Sequence, residues 1–266
     1  MAAIAIFNSK GGVGKTTIAI QLASEAAASG HNVLLWEVDE GADSSWILSR
    51  GEGVERPDLD AVADARRALA DFVRPSAIPG VSLIAGDPNM RRSDNFLARL
   101  WQERRQAHWL HRLNEAYDII LIDCAPGFSE ANRKIMLLAD LIVVPTVPSA
   151  LSMRGLLRVR HFLTRHRDGR HPPMLPVFSM VDRRRSLHKA ALAKYPAWPT
   201  IPMASLIEQM AERRAPLTAF AAGSAAREGF RILWAGIERK LRHMGLVEPV
   251  VQRAAAEGLP NVAVAV

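Results

Sequence analysis

Residues 7–17 read FNSKGGVGKTT, and what stands on either side of this glycine run constrains the fold more than any other feature of the chain. Before it comes a short apolar run, AAIAIFN (2–8), rich in β-formers. After it comes TTIAIQLASEAAAS (16–29), an alanine-rich helical pattern that stops at Gly30. Strand, glycine loop and helix start, in that order, aim backbone N–H groups and a helix dipole at an anion. Gly11, Gly12 and Gly14, with Val13 among them, leave the main chain free to wrap phosphate. Lys15 follows as a cation for β- and γ-phosphate charge, and the hydroxyl of Thr16, which Thr17 follows, as a ligand for Mg2+. The common loop, G-x-x-x-x-G-K-S/T, opens on a glycine where this chain has Ser9, and Lys10 comes next. The segment keeps the chemistry of a nucleotide site and adds a second lysine that the common pattern does not explain.

Apolar strand-like runs alternate with helical stretches almost to the end. The strands read at 2–8, 33–38, 81–85, 118–123, 141–146, 175–180 and, briefly, 199–203. Helical patterns lie at 16–29, 59–72, 94–115, 128–138, 150–166, 184–193, 204–213 and 224–243. Such alternation predicts an α/β fold: a single doubly wound, mostly parallel sheet with helices on both faces. The near-continuous hydrophobicity of 33–36, 119–122 and 141–144 suits strands buried on both sides. Segments 50–58 and 167–173 read as surface loops. One domain over residues 1–247 accommodates all of this, with a tail at 248–266 expected to be poorly ordered.

A single cysteine provides neither a disulfide framework nor a multi-cysteine metal site, which suits a reducing cytoplasm. No apolar stretch approaches the roughly 18 residues of a membrane span, and the N-terminus enters a strand without the charged region of a secretory leader. Net charge is +7, unevenly spread. Residues 1–150 hold 15 Lys and Arg against 19 Asp and Glu, whereas residues 151–245 hold 18 against 6. A basic, arginine-rich C-terminal half suggests a polyanionic partner, most often nucleic acid.

In doubly wound sheets, ligands sit beyond the carboxyl ends of the strands. The second strand ends in WEVDEGADSS, with Glu37, Asp39, Glu40 and Asp43, and the fourth ends in LIDCAPG. Asp123, directly after an apolar run, occupies the position of an aspartate that holds Mg2+ directly or through water. Cys124 reads as a small buried residue, since no histidine is placed to activate it.

Together, KGGVGKTT with Lys10, a strand ending in Asp39, YDIILIDCAPG and DLIVVPTVPSALSMRGL resemble the ParA/MinD family of deviant-Walker ATPases. Segments 177–190 and 213–241 are similar to the ParA branch, and the likeness covers residues 2–243. The resemblance implies ATP and Mg2+ as cofactors. It also implies that Lys15 serves the phosphates of its own subunit while Lys10 reaches across an ATP-dependent homodimer to those of the partner. Asp39 matches the aspartate that positions the attacking water, so slow ATP hydrolysis through Lys10, Lys15 and Asp39 is the implied activity. Where the family has D-x-D-P-Q, this chain has Glu37 for the first aspartate and Glu40-Gly41 for Pro-Gln, and the added negative charge is expected to slow hydrolysis or loosen nucleotide. By family position Met180, Asp182 and Pro202 lie near the base.

Three functions follow from the resemblance. The first is a positioning ATPase whose ATP dimer binds DNA without sequence preference, associates with the nucleoid, and is released when a ParB-like or other cargo adaptor stimulates hydrolysis. Cargo would be a plasmid or chromosome partition complex or a protein assembly. The charge split favours this reading, because non-specific affinity arises from phosphate neutralisation. Its candidate contacts are Arg183, Arg184, Arg213, Arg214, Arg227, Arg231, Arg239 and Arg242, with Arg227 and Arg231 one helical turn apart. The second is MinD-like membrane positioning, disfavoured because the tail VVQRAAAEGLPNVAVAV carries one arginine and two helix breakers, so no stable membrane association is expected. The third is an accessory ATPase of a biosynthetic or secretion machine, acting through protein partners without DNA. An iron-protein reductase is excluded by the lack of cluster-ligating cysteines. With its first strand beginning at residue 2, the chain is expected to lack a helix-turn-helix region and operator-specific binding.

Overall fold

Successive residues of the first strand, β1 (Ala2–Ile6), alternate between two apolar environments, Ile4 and Ile6 on one side and Ala5 on the other. The computed structural model describes residues 1–49, 55–57, 68–86, 113, 116–166 and 171–248. From β1 the chain passes through the glycine loop into α1 (Lys15–Ala28), then β2 (Val33–Val38) and the short α2 (Asp43–Leu48). A 3-10 turn (Leu69–Phe72), β3 (Arg74–Pro75), β4 (Val81–Ile84) and β5 (Ile119–Cys124) follow. Next come α3 (Glu130–Leu138), β6 (Leu141–Thr146), α4 (Ala150–Arg165) and β7 (Met174–Val181). The described chain ends with α5 (Ser186–Lys194), β8 (Thr200–Pro202), α6 (Ser205–Arg213), α7 (Leu217–Phe220) and α8 (Ala225–His243). Three helices start on a serine whose side chain takes an otherwise orphaned N–H: Ser129 from Asn132, Ser149 from Ser152 and Ser224 from Arg227.

The strands form one sheet in the order β3-β4-β2-β5-β1-β6-β7-β8, parallel throughout except for the β3–β4 pair. Strand order runs one way from β1 through β5 to β2 and the other way through β6 to β7, so the carboxyl end of β1 is the switch point. Register there sets Ile6 opposite Asp123, and Asp123 opposite Glu37. Every residue of β2, β5 and β6 is buried, as continuous hydrophobicity predicts. One face packs Leu35, Leu121 and Val143 against α1 and α8; the other packs Trp36, Ile122 and Val144 against α3 and α4.

The expected elements that fall on described residues are present, with ends shifted by one or two residues. Two short helices, α2 and α7, and the two-residue β3 carry too little periodicity to be read in advance. The helix expected at 59–72 is described only at its end, where Leu69–Phe72 is a 3-10 turn. The helix expected at 94–115, most of the loops at 50–58 and 167–173, and the tail beyond Glu248 lie outside the described residues. Among the described residues, no helix is long and apolar enough to cross a membrane.

Candidate nucleotide site

The loop between β1 and α1 turns on Gly12 and Gly14, whose φ angles of 66° and 82° lie in the left-handed region that L side chains resist. It is anchored from beneath. Asn8 donates through Nδ2 to the Pro145 carbonyl at 2.7 Å and accepts through Oδ1 from Lys10 N at 3.1 Å. Gly127 N donates to the Ser9 carbonyl at 3.1 Å. α4 leans on the same place: a Cβ at Gly155 would stand 2.6 Å from Asn8 Oδ1, so only glycine permits the approach.

The two lysines of the loop are in opposite situations. Lys15, first residue of α1, is 7% exposed, whereas Lys10 is turned to solvent. Val13 is buried, and Thr16 and Thr17 are half-buried in the first helical turn.

Asp123 is fully buried at the end of β5. Its Oδ2 accepts from Ser44 Oγ at 2.7 Å, the Thr16 hydroxyl lies near enough to the same carboxyl to lower its pKa, and Oδ1 has no hydrogen-bond partner. Burial, then the nearby Glu37 carboxylate, pushes its pKa up to about 7, against the pull of Ser44, Thr16 and the Lys15 charge. An orphaned buried carboxylate oxygen beside a threonine hydroxyl suits a divalent cation that would complete both. Among the described residues no group of three His, Cys, Asp or Glu could hold a metal, so phosphate and water oxygens would supply the remaining ligands.

Glu37 needs the largest correction. Its extra negative charge is not presented to a phosphate, because the side chain is fully buried and both oxygens are occupied. Oε1 accepts from Ser44 N at 2.8 Å, and Oε2 from Ser45 N at 2.9 Å and from the Ser45 hydroxyl. Those N–H groups open α2, whose preceding residue, Ala42 (φ 54°), has no side chain with which to cap it. Glu37 thus caps the helix from a neighbouring strand, a carboxylate at the positive end of the dipole. Burial raises its pKa, and the hydrogen bonds from Ser45 and Ser44 oppose the rise.

Asp39 lies half-exposed in the loop after β2, its Oδ1 accepting from Gly41 N at 3.2 Å and its carbonyl from Ala42 N. Gly86 holds the loop from behind: a Cβ there would meet the Asp39 carbonyl oxygen at 2.3 Å. Cys124 is buried, and desolvation drives its thiol pKa upward, so it is no nucleophile.

The residues assigned to the base end divide. Met180 is exposed with φ 52°, and its methyl lies 3.6 Å from where a Gly14 Cβ would be. Asp182 and Pro202 instead line a cavity of about 650 Å3 together with Arg183, Thr200 and Met203. The Asp182 carboxylate receives both Nε and Nη2 of Arg184, at 2.9 and 3.0 Å, and these bonds lower its pKa to about 2.

The arginines proposed for DNA are largely engaged within the chain. Arg213 bonds Gln209 and covers the Phe220 ring, and Arg214 stacks 4.2 Å from the centre of the Trp46 ring. Arg231 pairs with Glu228, and Arg242 with Glu238. Arg183 and Arg239 are exposed. Arg227 does not form a stripe with Arg231: its guanidinium turns inward to grip Glu25, which is 3% exposed, at 2.9 and 3.1 Å. Sequence reading missed Ser44, Gly86, Gly155 and Asn8; the serines after Asp43 were the visible trace of a helix start.

A parallel sheet whose central strand runs into this loop, with a buried aspartate ending the next strand, defines a P-loop nucleoside-triphosphatase fold. Comparison with known proteins narrows the class. A family model described as an AAA domain matches residues 1–172. The chromosome partitioning protein ParA of Caulobacter vibrioides is 33% identical over 190 residues, 69% of this chain and 71% of that protein. Among solved structures, the septum site-determining protein MinD of Pyrococcus horikoshii, complexed with Mg-ADP, superposes with a TM-score of 0.68 at 21% identity, covering 89% of this chain and 95% of that one. A putative plasmid partition protein of Borrelia burgdorferi bound to AMPPNP gives 0.71 at 18% identity, covering 90% and 99%. This chain belongs to the ParA/MinD family of ATPases.

Proposed function

We propose that this protein is a ParA-type positioning ATPase that binds ATP with Mg2+, forms a nucleotide-dependent homodimer, and in that state holds DNA non-specifically. The observation that carries the reading is the contrast between Lys15, buried where its charge acts on the Asp123 carboxyl, and Lys10, exposed on the same loop. One cation is committed to the phosphates of its own subunit, and the other is free to reach those of a second copy. The relatives support the ligand set, since one of the superposed structures holds Mg-ADP and another AMPPNP.

Residues of this chain then divide the work. The N–H groups of residues 11–16 and Lys15 bind and orient the phosphates. Thr16 and Asp123 would hold Mg2+, which neutralises charge on the β- and γ-oxygens when bound. Asp39 orients the attacking water, and Gly86 fixes the height of its loop. Met180 covers the mouth of the loop on the base side. Arg183, Arg239 and the outward members of the arginine set contribute phosphate contacts to DNA.

A second reading, a switch that acts on protein partners without DNA, is favoured by the number of these arginines already paired within the chain. Retention on non-specific duplex DNA with ATP, ADP or no nucleotide, over a salt series and with Lys10→Ala alongside, separates the two. ATP-dependent, salt-sensitive retention lost in Lys10→Ala is expected. An intact ATP dimer that ignores DNA in every state would transfer the protein to the second reading.

A further inference from the structure

The layer opposite α1 and α8 carries a different basic feature. Between α3 and α4 lies a groove of about 830 Å3 whose rim bears Arg133 from α3 and Arg154, Arg158, Arg160 and Arg165 from α4. Phe128 and Phe162, with ring centroids 5.9 Å apart, form its apolar part, and Leu157, 48% exposed, stands beside them. Among the described residues, no Asp or Glu lines it. Among the described residues, none of these five guanidiniums has a carboxylate or hydrogen-bond partner, unlike Arg184, Arg227, Arg231 and Arg242 on the other side. Five unneutralised cations around one concavity repel one another, and an anionic occupant relieves that repulsion.

We propose that this groove docks an acidic, amphipathic segment of a protein partner. Guanidinium forks match carboxylates two bonds at a time, and an apolar strip needs apolar side chains from the occupant. A helix with Glu on one flank and Leu on the other supplies both, whereas a phosphate backbone offers nothing to Phe128, Phe162 or Leu157. A groove-to-groove contact with a second copy would set the same sign of charge against itself. Both walls also connect to the phosphate loop. Gly155 of α4 abuts Asn8, and Gly127, just ahead of α3, donates to Ser9. An occupant therefore bears on the two elements that hold residues 8 and 9. The inference rests on the preceding reading only in taking the partner to be a protein.

The test uses the full chain and a fluorescein-labelled peptide of about 18 residues with Glu and Leu at i, i+3 and i+4 spacing. A Gln-for-Glu peptide serves as control, with a single-stranded oligonucleotide of equal charge as competitor. Fluorescence anisotropy at about 0.15 M salt reads binding, so that long-range attraction is screened. Arg154→Glu with Arg158→Glu is expected to weaken the acidic peptide at least about tenfold, as is Gln for Glu in the peptide, while Arg231→Glu with Arg239→Glu leaves it unchanged. Arg160→Glu with Arg165→Glu repeats the measurement should the first variant melt early. No binding of the acidic peptide, or equal losses in both sets of variants, would overturn the proposal. So would displacement by the oligonucleotide at lower concentration than by unlabelled peptide, which would give the groove to nucleic acid. Duplex retention with ATP is measured on the same variants and is expected to survive charge reversal in the groove. Its absence from the unmodified protein sinks the DNA reading and leaves the peptide result standing.

Discussion

Ser44 Oγ donates to Asp123 Oδ2 at 2.7 Å while Ser44 N donates to Glu37 Oε1 at 2.8 Å, so one residue joins the two buried carboxylates of the site. Glu37 and Asp123 face each other in register on adjacent strands, and the start of α2 is clamped over both. The short helix is thereby tied to the carboxylate proposed to hold Mg2+.

Removing the clamp should loosen α2. Glu37→Ala leaves the N–H groups of Ser44 and Ser45 without acceptors and is expected to cost about 1–2 kcal/mol, with Glu37→Gln closer to the unmodified protein. Denaturant unfolding gives the energy, and hydrogen exchange locates it at residues 43–48. Unchanged exchange there would mean that Glu37 does not cap the helix.

Asp123 sets a pH dependence. Its ordinary pKa is 3.8 and its folded value about 7, so between these values the folded chain holds more protons than the unfolded one. Stability contributed by this group is present at low pH and lost as pH rises toward about 7. Without nucleotide or metal, Asp123→Asn should match the unmodified protein near the acid end of that window and melt several degrees higher above it. Adding Mg2+ with nucleotide should raise the melting temperature of the unmodified protein and leave the variant behind. Parallel melting curves across the whole pH range would contradict the assignment.

Gly86→Ala places a Cβ 2.3 Å from the Asp39 carbonyl oxygen and 3.2 Å from Glu37 Cγ. The loop must give way, at a cost of about 1–3 kcal/mol by analogy with overpacked cores. Turnover is expected to fall by about tenfold to a hundredfold, as displacement of a positioning group does, with nucleotide affinity changing far less. Single-turnover kinetics beside a nucleotide titration separate the two effects.

Arg227 and Arg239 should behave differently although both were candidates for the same surface. Arg227→Ala strands the buried Glu25 carboxylate and is expected to cost about 2–3 kcal/mol. Arg239→Ala, on an exposed side chain, should change stability by less than about 0.5 kcal/mol. Equal effects in urea unfolding would argue against the inward pairing of Arg227.

What could be read from the sequence was what lies contiguous in it. The phosphate loop, Asp123 after its apolar run and the alternation of strands and helices each sit within one short window. Roles set by distant neighbours could not be read that way. Glu37 looked like misplaced charge because its partners, Ser44 and Ser45, belong to a helix too short to show a period. Arg227 looked like part of a stripe because its partner, Glu25, stands 202 residues earlier. Gly86 and Gly155 gave no signal at all, since each is glycine only because of an atom that another segment brings close.

Both rims of the described sheet are short and reach a proline: β3 is Arg74–Pro75 and β8 is Thr200–Pro202. A rim of this kind offers an approaching chain few free N–H and C=O groups in line, and at the proline no N–H at all. Within the described residues, then, copies of this protein cannot zip together by extending one another's sheet. That guards against indefinite stacking in a molecule with so apolar a centre.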